Sequence, residues 1–177
     1  VERLVSIGGY NIQNIAESHR PKSADLESRY WYQWYFNTER GRNGLTSNRR
    51  DLCRMLWRLW SPNWQFDDAT FGRTATSFDN PDFVEVVLQS YRHRFKAAPG
   101  DPALEPIEQQ LAQQPKIAVP TVVLHGACDG VDPPAGSEDD QRFFTGPYTR
   151  RIIPIAGHFL PREAPAAVIA AVTNALD

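Results

Sequence analysis

The sequence predicts an α/β fold in which three strands of a parallel sheet are interrupted by a large helical insertion. Three observations lead there. Short runs rich in β-branched and aliphatic residues each end in glycine on their C-terminal side, the last two are separated and followed by helical patterns, and residues 8 to 120 carry helical periodicity without a convincing strand.

The first strand is Leu4-Val5-Ser6-Ile7, which runs into Gly8-Gly9. Tyr10-Asn11 follows, in place of the glycine-spaced helix start that cradles a dinucleotide, so the two glycines read as a turn leaving the strand. In the first helix of the insertion, Trp31, Trp34, Tyr35 and Thr38 fall on one stripe, while Glu27, Arg29 and Glu39 can reach solvent. The second helix places Leu52, Met55, Leu56, Leu59 and Trp60 on one face, which must pack against something. A third begins near Asp67 or Asp68. A fourth opens at Asn80-Pro81 and presents Val84, Val87, Leu88 and Tyr91. Gly100-Asp101-Pro102 breaks the pattern before a short helix from Leu104 to Gln114, and Pro115 and Pro120 punctuate the return to the sheet. The second strand is Thr121-Val122-Val123-Leu124, exiting through His125-Gly126; the third is Arg151 to Ile155, exiting through Gly157-His158. A helix is expected around Glu138 to Phe144 between them, and another from about Ala164 to Leu176. Uninterrupted β-branched runs suit a sheet covered on both faces. The organisation read this way is sheet strand and exit loop at 1–15, helical region at 16–116 and sheet-bearing region at 117–177.

Composition narrows the function. With 19 basic and 21 acidic residues in 177, the formal charge is −2, so the chain offers no general basic field for nucleic acid. The densest basic stretch, Tyr91 to Lys96, has apolar residues mixed in at helical spacing and reads as a solvated helix face. A hydrophobic fraction of 41% can build a core, and no run reaches the ~18 apolar residues of a membrane span. Cys53 and Cys128 are too few for a disulfide framework, which makes a reducing cytoplasm the default setting.

The polar residues with chemical promise sit at the two later strand exits: Asp129 in His125-Gly126-Ala127-Cys128-Asp129-Gly130, and His158 in Ala156-Gly157-His158-Phe159-Leu160-Pro161. In open α/β sheets this is the edge where ligands bind. A carboxylate on one ring nitrogen of a histidine fixes its tautomer and stabilises its cation, leaving the other nitrogen as general base. Asp132 is the alternative acid, although it precedes Pro133-Pro134 and reads better as the end of the turn. His125, Cys128, Asp129 and Asp132 match no familiar metal-ligand spacing, so neither a metal nor another cofactor is expected.

The ending, a strand running into HGACDGVDPP and a later strand running into AGHFLPREAP before a final helix, resembles the acid and histidine portions of the α/β-hydrolase family, whose chain order is nucleophile, acid, histidine. The helical insertion resembles its cap domain. The segments RYWYQWYFNTERGR and SFDNPDFVEVVLQSYRHRF look like caps of the subgroup containing epoxide hydrolases and haloalkane dehalogenases. This resemblance implies the C-terminal part of such a sheet, with Asp129 as acid and His158 as base. It also implies a small-molecule substrate (ester, epoxide or halide), water as co-substrate, and Trp34 and Tyr35 as hydrogen-bond donors to the leaving oxygen or halide. A serine nucleophile would imply an ester or acyl substrate, and an aspartate an epoxide or halide.

No G-x-S-x-G or comparable nucleophile elbow occurs in the sequence. With the outer edge of the first strand left without a pairing partner, the expectation is that the N-terminal half of the same domain lies outside these residues and that this chain alone is inactive and folds poorly. The alternative from another class is a non-catalytic hydrolase relative serving in binding or assembly.

Overall fold

Strands β1 (Leu4–Ile7), β2 (Thr121–Gly126) and β3 (Tyr148–Ile153) form one parallel sheet in the order β1-β2-β3. Val5 pairs with Val122 on one side of β2, and Leu124 with Arg151 and Gly126 with Ile153 on the other. The computed structural model describes residues 1 to 174. They fall into two compact units, one made of Val1–Gln13, Arg58–Trp64 and residues 113–174, the other of Asn14–Trp57 and Gln65–Ala112.

The sheet belongs to the first unit. β2 is buried almost throughout, as its unbroken apolar run requires, whereas β3 alternates between exposed and half-buried positions over its first residues. β3 also starts earlier than the sequence predicts and stops short of Ile155. That residue has φ 68°, and the Ala156 N–H bonds the Pro154 carbonyl at 2.8 Å, a tight γ-turn that no strand can continue through. Two helices follow, α7 (Leu160–Glu163) and α8 (Pro165–Asn174); the predicted end at Leu176 lies outside the described residues. Leu124, Ala156, Leu160 and Ala171 form a closed apolar cluster, packed round by Val5, Ile7, Val122, Ile153 and Val168. Burying each of its two leucines completely contributes roughly 1.5–3 kcal/mol.

The helix predicted at Glu138 to Phe144 is instead a pair of 3-10 turns, Pro134–Ser137 and Asp140–Phe143. Side-chain bonds to distant backbone account for this. The Asp140 carboxylate accepts from the Tyr10 N–H at 2.7 Å, and Tyr10 stacks on Phe143 at 4.1 Å, so local periodicity yields to contacts made with the exit of β1.

The second unit is helical: α1 (Ala24–Arg29), α2 (Trp31–Phe36), α3 (Glu39–Trp60, its end from Arg58 belonging to the first unit), α4 (Asp68–Ala75), α5 (Phe83–Arg94) and α6 (Glu105–Ala112). Ser23 caps α1 and Asp67 caps α4. Pro81 lies ahead of α5 rather than inside it; the Asn80 side chain accepts from the Asp82 N–H in the turn that precedes the helix. A break at Asn48 (φ −128°, ψ 30°) divides α3. Its buried face is also rotated from the predicted one: Leu45, Leu56 and Trp57 are inside, while Met55 and Leu59 are 40% and 48% exposed. The aromatic cluster of Trp57 with Phe66 and Phe71 turns that side inward. Among the described residues no helix is long and apolar enough to cross a membrane.

Glycines mark where backbones touch. A Cβ on Gly130 would lie 1.9 Å from the Leu59 carbonyl oxygen, whereas one on Gly72, inside α4, meets open space. Gly130→Ala is therefore expected to lower stability by about 1–3 kcal/mol or more, and Gly72→Ala to raise it by about 0.5–1 kcal/mol. Urea melts of the two variants check both signs.

Candidate active site

The exit of β2 makes a tight turn around one carboxylate. Asp129 is 7% exposed; its Oδ1 accepts from the backbone N–H of Val131 at 2.8 Å and of Asp132 at 3.0 Å. His125, fully buried on β2, donates its Nε2–H to the Asp132 carbonyl at 2.6 Å and holds Nδ1 2.8 Å from Ser137 Oγ. These bonds aim Oδ2 of Asp129 away from its own loop, towards the exit of β3.

There it meets His158. Nδ1 of His158 lies 2.9 Å from Asp129 Oδ2, so Nδ1–H donates and Nε2 carries the lone pair. The His158 side chain keeps 37% of its surface exposed. The two exits are also joined through backbone, with the Cys128 N–H bonding the Ala156 carbonyl at 2.9 Å and the Ala127 N–H bonding Ile153 at 2.9 Å. Trp60, where α3 ends, lies edge-on to the imidazole with ring centres 5.7 Å apart, and its carbonyl accepts from both Gly130 and His158.

Burial pushes the imidazole pKa down. The Asp129 hydrogen bond and the charges of Asp129, Asp132 and Glu163 outweigh it, so the net position is above the ordinary 6.5.

The structure thus brings Asp129 and His158 together. Asp132, the alternative acid, contributes its backbone N–H to Asp129 and its carbonyl to His125. Trp34 and Tyr35 stand on α2 of the second unit: Trp34 Nε1 donates to Glu27 at 3.0 Å, and the Tyr35 hydroxyl packs where a Cβ on Gly44 would sit. Cys53 and Cys128 are free thiols, and burial pushes Cys53 up to about 11.

Sequence reasoning missed Ser61 and Glu163. Glu163 comes five positions after His158, at the end of α7, and a short helix turning back over its own entry loop was the available signal. Ser61 has no local signal, because its partners lie about a hundred residues on.

A histidine whose folded pKa is raised stabilises the protein fully below the unfolded value and loses that contribution as pH rises through the folded one. Comparing wild type with His158→Gln in urea melts at set pH should therefore give the largest stability difference below pH 6.5, shrinking as the pH climbs. Direct NMR titration of the ring should give a value above that of a free histidine.

Among solved structures, the chain is similar to a candidate epoxide hydrolase from Klebsiella pneumoniae, with 40% identity and a TM-score of 0.94 over 99% of this chain and 58% of the other. It has the same fold as the Cif epoxide hydrolase of Acinetobacter nosocomialis (20% identity, TM-score 0.73, 100% of this chain, 54% of the other) and a haloalkane dehalogenase variant from Bradyrhizobium elkanii (14%, 0.67, 98%, 58%). The chain therefore spans less than two thirds of the length of each. Comparison with curated proteins gave no match. The three-stranded parallel sheet with its helical insertion is the architecture of the family whose model, the α/β hydrolase fold, matches residues 1–165, and the chain belongs to that family.

Proposed function

We propose that these residues supply the acid and the base of a hydrolase that opens small organic epoxides, Asp129 orienting His158 and His158 activating water. The observation that carries this is the 2.9 Å bond between Asp129 Oδ2 and the Nδ1 of a His158 side chain that stays 37% exposed. The choice of epoxide over ester or halide is supported by the 40% identity to the Klebsiella protein. No nucleophile elbow stands in the 177 residues, so in this reading the attacking carboxylate is not among them.

The proton then has a defined route. After the nucleophile has opened the epoxide and formed an ester, Nε2 of His158 takes a proton from water as the oxygen adds to the ester carbonyl. The imidazolium so formed is stabilised by Asp129 and gives its proton to the ester oxygen that departs as the adduct collapses. The second proton of the water, released as the carboxylate is restored, replaces the one taken up by the opened epoxide oxygen; the diol leaves with nucleophile and neutral base regenerated. His158 must be neutral to start, so the rate rises with pH through its raised pKa. In this reading Tyr35 is the substrate-binding donor of the second unit and Trp34 joins it only by giving up its bond to Glu27, no metal or other cofactor takes part, and the free thiols favour a cytoplasmic setting.

The test is epoxide turnover by the complete gene product. His158→Ala and Asp129→Asn should each lower kcat about 10³- to 10⁴-fold with KM little changed. Tyr35→Phe should cost about 10²-fold if its hydroxyl stabilises the leaving oxygen. Undiminished turnover with alanine at 158 would dismiss the catalytic assignment.

A further inference from the structure

We propose that Ser61 and Glu163 are positioning residues for His158, acting as a single clamp on the backbone that carries it. The inference rests on the reading of Asp129 and His158 given above. Three successive amides of the loop are held. Gly157 N–H donates to Glu163 Oε2 at 2.8 Å, His158 N–H to the Trp60 carbonyl at 3.2 Å, and Phe159 N–H to both Ser61 Oγ at 3.1 Å and Glu163 Oε1 at 3.0 Å. The Ser61 hydroxyl donates in turn to Glu163 Oε1 at 2.6 Å.

Each member depends on the others. Ser61 is completely buried, so its hydroxyl needs both of its bonds. Glu163 spends both oxygens on the loop and on Ser61, a use of a carboxylate that a single helix cap would not require. Gly157 admits the arrangement because a Cβ there would fall 2.7 Å from Ser61 Cα and 2.8 Å from its Oγ. The imidazole thus hangs from a backbone fixed on both sides, and its Nδ1 is led to Asp129 with few orientations left to search. Such preorganisation matters because misplacing a reacting group by about 1 Å can cost about 10²-fold in rate.

Glu163→Gln keeps the shape but offers one acceptor where two are used, turning an amide N–H towards Gly157 or Phe159. Ser61→Ala removes one oxygen. In the complete gene product each should lower kcat on an epoxide about 10- to 100-fold with KM within about twofold. The double variant should cost no more than the worse single one, as expected of a unit. The acids whose charges raise the His158 pKa are Asp129, Asp132 and Glu163, so Glu163→Gln should also move the His158 titration, read by NMR without substrate, to lower pH.

Unchanged kcat with a lowered melting midpoint would assign the clamp to folding and overturn the proposal. So would loss of the folded state in both variants. Asp129→Asn run beside them separates the two levels: if it lowers kcat and the clamp variants do not, the positioning role fails alone, whereas if it too leaves kcat intact, the catalytic reading has failed.

Discussion

Two parallel strands that pair in register release their chains at the same level, and the meeting of Asp129 with His158 depends on that constraint. β2 and β3 are paired from Thr121 with Tyr148 to Gly126 with Ile153, so the loops that follow begin side by side. Gly126 permits the closeness, since a Cβ there would fall 2.3 Å from the Gly157 carbonyl oxygen. Once the loops are level, a short aspartate on one can reach a histidine on the other across a single hydrogen bond. A hairpin between the same residues would send one of the loops to the opposite edge.

The carboxylate divides its labour. One oxygen of Asp129 is committed to two backbone amides of its own turn, which fixes its direction; the other is left for His158. His125 extends this order one step back, holding the Asp132 carbonyl from inside the sheet. The histidine loop has a parallel construction, in which Glu163, Ser61 and the Trp60 carbonyl take up the amides around His158. Each partner is thus oriented by its own set of bonds, and the His158 side chain stays partly exposed.

Much of this was legible. β-branched runs ending in glycine located the strands, because a strand needs stiff side chains and its exit needs a residue that tolerates close approach or positive φ, as Gly8 and Gly9 show at 90° and 122°. The strand exits pointed to Asp129 and His158. Periodicity was less reliable where contacts from afar compete with it. The segment near Glu138 has helical spacing but is drawn into 3-10 turns by Tyr10, and the face of α3 that turns inward is selected by Phe66 and Phe71 rather than by its own hydrophobic pattern.

By itself the sequence determined the order of the three strands, the helical character of the insertion, the family resemblance and the aspartate and histidine proposed as acid and base, since these depend on residue type and spacing along the chain. Only the tertiary structure decided which oxygen of Asp129 faces the ring, where β3 stops, and that Ser61 and Glu163 grip the loop of His158. The reason is physical. Ser61 and Phe159 are 98 positions apart yet share a hydrogen bond, and no local rule of propensity or periodicity carries information over such a distance until the core has closed.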